Sequence, residues 1–349
     1  MALKKLEKEN VALLRINLSH SSLKELKSYI DIIQNNVNIP ICIDSEGAQI
    51  RTGIFHNGTI TLRTNKQIKL ISGRESNNDS EIELTPPYIL NTFRKEDLVY
   101  LDFNSVILQV VSCNNNEVAC RVVQGGVVGS NKAVNLNREV SMESITKKDI
   151  EAIKLSKKLG IKNFALSFAQ NKQNVNDFRQ LIGEESYLIS KVESNKGLEN
   201  LDGIIDASDA ILIDRGDLSR EQPIERIPIW QKIISKNVLS KNKELFIATN
   251  LLETMINEKN PSRAELNDIM NNLMDGVSGL VLAAETAIGN NPIKSVRVIN
   301  NAINEFSNYS RNKSLEISGK HSKLISPHGG KLINSDYRDE RDFVDSDKI

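Results

Sequence analysis

Apolar residues in this chain follow one rhythm at both ends and a different one between. Residues 11–17 and 39–43 are short apolar runs of strand length. Between them Leu23, Leu26, Tyr29, Ile30 and Ile33 recur at helical spacing. Ser22 precedes that run, and its hydroxyl suits the start of a helix. Strand, helix, strand in this order predicts a parallel sheet. From Thr146 the same grammar returns. It predicts helices over 147–159, 175–182, 198–205, 230–238, 263–274 and 293–306, with Thr146 as a helix cap. The intervening strands are expected at 163–168, 186–192, 210–213, 245–249 and 279–283.

The middle of the chain reads differently. Segments 59–63, 67–71, 106–111 and 117–123 are short and alternate apolar with polar residues. Asn57-Gly58, the Asn run at 114–116 and Gly125-Gly126 punctuate them, as turns do. This predicts a small all-β domain over 52–137, inserted in an α/β domain made of 1–51 and 138–308. Residues 73–84 read as a mobile loop and 309–349 as a polar tail or linker. The α/β part holds seven predicted strands, whereas a closed (β/α) barrel of the TIM type uses eight. The expectation is such a barrel lacking its first strand, because residues 1–10 read as the end of a helix.

Charge and composition narrow the classes. The 45 basic and 45 acidic residues balance, so no overall field favours nucleic acid or a membrane surface. No leader and no bilayer-length apolar run is visible. The cysteines, Cys42, Cys113 and Cys120, are odd in number and lack metal-ligand spacing, which suits a reducing cytoplasmic setting. Cys42 reads as a core thiol. Oligomeric state is left open.

Polar side chains gather where the predicted strands end. Arg15, Asn17, Ser19 and His20 follow the first strand, and Asp44, Ser45 and Arg51 the second. Later strands lead into Ser167, Lys191 and Glu193, then Arg215, Gly216 and Asp217, then Thr249, Glu285 and Thr286. Convergence at one rim is how a parallel barrel builds an active site. Glu193 and Asp217 offer carboxylate oxygens to one divalent cation, which leaves positions for substrate oxygens such as phosphate. Lys191, two residues before Glu193, points to the same side of a strand and adds positive charge there.

The ordered motifs resemble those of the pyruvate kinase family. They are R-I-N-L-S-H (15–20), D-S-E-G-A-Q-I-R-T-G (44–53), G-G-V-V-G-S-N-K-A-V-N-L (125–136) and K-V-E-S (191–194). D-R-G-D-L (214–218), A-T-N-L-L-E-T-M (248–255), P-S-R-A-E (261–265) and A-A-E-T-A (283–287) complete the set. The resemblance implies a phosphotransferase that moves the phosphoryl group of phosphoenolpyruvate to ADP, giving pyruvate and ATP. It implies Glu193 and Asp217 as ligands of Mg2+ or Mn2+, and Lys191 as the lysine beside the phosphoryl group in transit. Gly216, Asp217 and Thr249 match the cradle for the substrate carboxylate, and Arg15 and Arg51 match phosphate-binding arginines. Asn17, Ser19, Asp44 and the Ser45 carbonyl match a K+ site. Asn17, His20, Arg51 and Lys132 match nucleotide contacts, with Lys132 carried by the inserted domain as a lid. From the residues alone, His20 also reads as a solvated or capping histidine.

The chain departs from the family pattern at several rim positions. Ser45 stands where the family has Thr, Glu46 where it has Lys, and Ala48 where it has Pro. Asp214 replaces Ala, Ser219 replaces Gly, and Ala283-Ala284 replaces Ser-Gly. Two alternatives therefore stand beside the kinase. One is a metal-dependent aldolase- or lyase-like barrel acting on pyruvate-type substrates. The other is a catalytically degenerate barrel kept for binding or regulation. A short stretch at 324–334 is similar to the opening of ATP sulfurylases and carries no catalytic residue.

Overall fold

The computed structural model describes residues 2–317 except 48, 77, 103, 104, 115, 116 and 141. The tail beyond Ile317, with its sulfurylase-like stretch, and Ala48 lie outside the described residues. Tertiary contacts divide the chain into two compact units, one of residues 1–45 and 147–349, the other of residues 46–146.

The chain opens with α1 (Ala2–Lys8), β1 (Leu14–Asn17), α2 (Leu23–Asn36) and β2 (Ile41–Asp44). Ser22 caps α2 as its sequence suggests. Its hydroxyl accepts from the Glu25 N–H while the Glu25 carboxylate accepts from the Ser22 N–H, a reciprocal box that satisfies two otherwise unpaired donors. The second unit follows with β3 (Ile50–Thr52), β4 (Thr59–Leu62), β5 (Gln67–Ile71), β6 (Glu81–Thr85), β7 (Leu98–Leu101), β8 (Val106–Cys113), β9 (Glu117–Gln124), β10 (Gly126–Gly129) and β11 (Ala133–Leu136). The first unit resumes with α3 (Lys147–Lys158), β12 (Asn163–Leu166), α4 (Lys172–Ile182), β13 (Tyr187–Val192), α5 (Asn195–Glu199), α6 (Leu201–Ala207) and β14 (Ala210–Asp214). It ends with α7 (Arg215–Leu218), α8 (Ile227–Ser240), β15 (Glu244–Ala248), α9 (Arg263–Met274), β16 (Gly279–Val281), α10 (Ala284–Ala287) and α11 (Pro292–Ile317).

In the first unit the seven expected strands form one parallel sheet in the order β1-β2-β12-β13-β14-β15-β16. Consecutive strands lie side by side with helices between them, the strand order expected of a (β/α) barrel lacking one strand. Alternate residues on neighbouring strands meet on the concave face: Cys42, Ala165, Ile189, Leu212 and Ala248 belong to one buried cluster. An eighth strand is not among the described residues, and β1 and β16 are the ends of the sheet. The last helix runs on to Ile317, so the start of the stretch read as a tail is helical.

The second unit has its own closed barrel, β11-β3-β6-β5-β9-β8-β7, with a separate β10-β4 pair. β9 shows the half-buried alternation: Val118, Cys120 and Val122 face a core that also holds Leu70 and Leu108. Two sequence expectations change here. β6 occupies Glu81–Thr85, inside the stretch read as a loop, and the start of that stretch is tied down by Arg74 on Glu81 at 2.8 and 2.9 Å. Arg51 belongs to this unit rather than to the end of the α/β segment, because β3 pairs antiparallel with both β11 and β6. A three-residue strand with little periodicity gave no signal in the sequence.

Candidate active site

β13 carries the first pieces. Its register puts Ile189 in the buried concave cluster, and Lys191, two residues on, follows on the same face at 3% exposure. The strand ends at Val192, and Glu193 is fully buried just beyond it. Lys191 Nζ lies 2.7 Å from Glu193 Oε1, 3.4 Å from Asp44 Oδ2 and 3.6 Å from Asp214 Oδ2. It also donates to Ser167 Oγ at 3.2 Å. Burial works against the ammonium charge, but Asp44, Glu193 and Asp214 outweigh it and hold Lys191 above its ordinary pKa.

Asp44 closes β2 and is fully buried. Arg15, from the adjacent β1, donates to Asp44 Oδ2 at 3.1 Å, and Ser167 Oγ meets Asp44 Oδ1 at 3.1 Å. Ser167 links further to Ser45, whose Oγ accepts from the Ser167 N–H at 2.8 Å and whose carbonyl lies 2.7 Å from Ser167 Oγ. Arg15, Asp44, Ser167 and Lys191 thus form one connected array at the strand ends. Sequence reasoning placed Ser167 at the rim but gave it no role. Its signal was its position, near the end of an apolar strand run.

A second, acidic group adjoins Lys191. One carboxylate oxygen each from Glu193, Asp214 and Asp217 lies within 4.8 Å of the others. Asp214 is the last residue of β14, and Asp217 sits in the single turn α7 that follows. Glu193 Oε2 accepts from the Phe168 N–H at 2.7 Å, with Phe168 at a left-handed φ of +51°. Burial, and then the charges of Asp217, Asp214 and Asp44, push Glu193 well above the ordinary carboxylate range despite Lys191. Burial also penalises Asp214, but Lys191 and Arg15 hold it below its ordinary value. Asp217 pairs with Arg220 at 2.7 Å. Glu193 Oε1 and Asp214 Oδ1 are both buried, and Lys191 Nζ at 2.7 Å is the charge partner of the first. Three hard carboxylate groups this close together suit a divalent cation.

Gly216 and Thr249, expected in a carboxylate cradle, are also brought together. The Gly216 N–H donates to Thr249 Oγ1 at 2.8 Å, and that hydroxyl donates to the Ala248 carbonyl at 2.6 Å. Arg215 grips the Thr249 carbonyl with Nε and Nη2 at 3.1 and 2.6 Å and reaches Asp268 at 2.7 Å. Thr249 takes a φ of +68°, rare for a β-branched residue. Glu285 was singled out only as a rim residue. Buried to 2% exposure, it accepts from the N–H groups of Leu252 and Ala283 at 3.1 and 2.8 Å, tying the segment after β15 to α10.

The residues matched to a K+ site occupy the ends of β1 and β2, where Asn17 and Asp44 are register partners. Asn17 Oδ1 accepts from the Ser19 N–H at 2.8 Å, capping the turn Leu18–His20. His20 is exposed at the end of that turn. Arg51 and Lys132 lie in the second unit. Arg51 is buried and donates to the Asn131 carbonyl at 2.9 Å and to Gln49 at 2.7 Å. Lys132 is exposed and pairs with Asp102 at 3.5 Å.

Fold and site together define a parallel (β/α) barrel protein with a lysine–carboxylate centre at its strand ends. The family profile described as "Pyruvate kinase, barrel domain" matches residues 1–296. A pyruvate kinase of Thermotoga maritima is 34% identical over 304 residues, which is 84% of this chain and 65% of the relative. That of Thermococcus litoralis is 31% identical over 306 residues, 85% of this chain and 64% of the relative. That of Thermoplasma acidophilum is 31% identical over 302 residues, 85% of this chain and 54% of the relative. The chain belongs to the pyruvate kinase family. It spans less than two thirds of the length of these relatives.

Proposed function

We propose that this chain transfers a phosphoryl group between phosphoenolpyruvate and ADP, giving pyruvate and ATP. The observation that carries the reading is the meeting of Lys191 with Glu193, Asp214 and Asp217 at the rim of the parallel sheet. The aldolase-like and degenerate-module alternatives are not favoured by the family match. Phosphoryl transfer asks mainly for positioning and charge neutralisation, and this rim is built from charged groups. A divalent ion held by Glu193 and Asp217 would supply Lewis acidity toward anionic substrate oxygens. Lys191, locked in its protonated form, balances charge on the phosphoryl group, and Arg15 adds a second fixed cation. The Gly216 and Asp217 N–H groups with Thr249 orient the substrate carboxylate, Thr249 exchanging its present Gly216 partner for the ligand. Ser167 holds the Lys191 amine in line through its own bonds to Asp44 and Ser45.

Arg51, His20, Asn17 and Lys132 are assigned to nucleotide and phosphate contacts by their motifs, and the lid role of the inserted unit belongs to the same reading. K+ at Asn17, Ser19, Asp44 and Ser45 is part of it, although Asn17 Oδ1, the Ser45 carbonyl and the Asp44 carboxylate each already accept hydrogen bonds. A cytoplasmic, glycolytic setting follows from the proposed reaction. Among the described residues no helix is long and apolar enough to cross a membrane.

The test is pyruvate release from phosphoenolpyruvate and ADP, followed with Mg2+ and with or without K+. Lys191→Met is expected to lower turnover by about a hundredfold or more, the scale seen when one preorganised charge partner is lost. Folded protein that turns over no faster than this variant would remove the proposal.

A further inference from the structure

The charged groups at the rim do not balance. Arg15 pairs with Asp44 at 3.1 Å, Lys191 with Glu193 at 2.7 Å, and Arg220 with Asp217 at 2.7 Å. Asp214 is the carboxylate left over. Its nearest cation is Lys191, at 3.6 Å and already shared with Glu193 and Asp44. Yet Asp214 is 5% exposed, and its Oδ1 is buried without a hydrogen-bond donor. Lys191 and Arg15 favour its charged form, so Asp214 stands there as an anion able to face one further cation.

Its place in the fold says what that is. Asp214 ends β14 on the concave face, two residues after Leu212 of the buried cluster. It therefore stands at the level of Glu193, not below it. Its oxygen lies within 4.8 Å of ligand-type oxygens of both Glu193 and Asp217. Glu193 Oε1 is also buried there, with the Lys191 ammonium 2.7 Å away as its charge partner. One carboxylate oxygen from each of the three acidic residues is therefore close enough to the others to share a single cation.

Resting on the cation-site reading above, we propose that Asp214 is a third anionic ligand of the divalent cation. The site then binds its cation more tightly than a two-carboxylate site would. Three carboxylates on one hard divalent ion also leave it fewer open positions and less net charge for an anionic substrate. Asp214 thus sets how the site divides its affinity between cation and phosphorylated ligand.

Mn2+ titration of the purified 349-residue chain, followed by the loss of the free-ion electron paramagnetic resonance signal, tests this. The comparison is wild type, Asp214→Ala, the isosteric Asp214→Asn and Glu193→Gln. Each is also melted without added ion to show that it is folded. Asp214→Ala and Asp214→Asn are expected to weaken Mn2+ binding by about tenfold, while both still melt cooperatively without added ion. In the same samples phosphoenolpyruvate, titrated at saturating Mn2+, is expected to bind more tightly to Asp214→Ala than to wild type. Mn2+ affinity equal to wild type in both Asp214 variants, with Glu193→Gln weakened, would overturn the third-ligand assignment and leave the proposed function standing. Wild-type protein that binds no Mn2+ would overturn both.

Discussion

Thr249 pays a backbone cost that its hydroxyl offsets. At φ +68° its β-branched side chain crowds the main chain, a conformation that costs on the order of 1–3 kcal/mol. In return Oγ1 accepts from the Gly216 N–H and donates to the Ala248 carbonyl, holding the turn after β14 against the end of β15. The two contributions can be separated. Thr249→Val keeps the crowding and strands the Gly216 N–H, so it is expected to destabilise the protein by about 1–3 kcal/mol. Thr249→Gly loses the same hydroxyl but relieves the crowding, so it is expected to sit about 1 kcal/mol above the valine variant even after its larger unfolded-state entropy. Urea unfolding of the two variants measures the gap; equal midpoints would mean that the φ carries no cost. Lys191, Glu193, Asp217 and Thr249 were all visible in the sequence, because each follows an apolar strand run. The positive φ was not, since a Thr in an Ala-Thr-Asn turn has no local marker for it. Asp214 was visible only as a departure from a family pattern. Its meaning depends on Glu193 and Asp217 lying across the rim from it, which spacing along the chain does not encode.

Elements follow sequence most closely where a cap and a periodic face agree. The helix expected at 263–274 is found at Arg263–Met274, with Ser262 and Glu265 closing a capping box at its start. The short strands of the inserted unit were harder to read. β3, β7, β10 and β11 have three or four residues each, too few for alternation to stand out. What fixes β7 instead is a polar clamp at its start. Asp97, 6% exposed, accepts from Arg138 Nε and Nη2 at 2.8 Å each and from the Arg94 N–H at 2.8 Å. Burial raises the Asp97 pKa, but the Arg138 fork and the Arg94 N–H outweigh it and hold the group below its ordinary value. A carboxylate depressed on folding stabilises above its unfolded pKa of about 3.9 and loses that stabilisation as pH falls through the folded value. Asp97→Asn is therefore expected to cost about 2–3 kcal/mol at neutral pH. The difference from wild type should begin to shrink as the pH drops below about 4, where the unfolded carboxylate protonates, and vanish only below the depressed folded value. Amide exchange of the β7 and β8 backbone at pH 7 and pH 3 reads both effects. A variant gap that stays constant across that range would sink the assignment.

At the scale of the molecule, the change of rhythm in the sequence marked a real change of architecture. Helical and strand periods alternate where the chain builds the parallel sheet, and period two alone governs the stretch that closes into a separate barrel. The junctions were misjudged by several residues, because the chain enters the second unit at Glu46 through a segment with no helical or strand signature. The second unit has what an independent domain requires. Its sheet closes on itself, β11 pairing with both β3 and β7, so no edge strand of that barrel is left open. Its interior is filled by fully buried aliphatic side chains such as Leu70, Ile82, Val99 and Leu108. Residues 46–146 expressed alone are therefore expected to fold. The fragment should unfold cooperatively in urea and show dispersed amide signals, with Val118 and Val122 among the slowest-exchanging positions because they face the closed core. A collapsed fragment without cooperative unfolding would show instead that the closed barrel depends on the parallel-sheet unit for its stability, and that the two units fold as one.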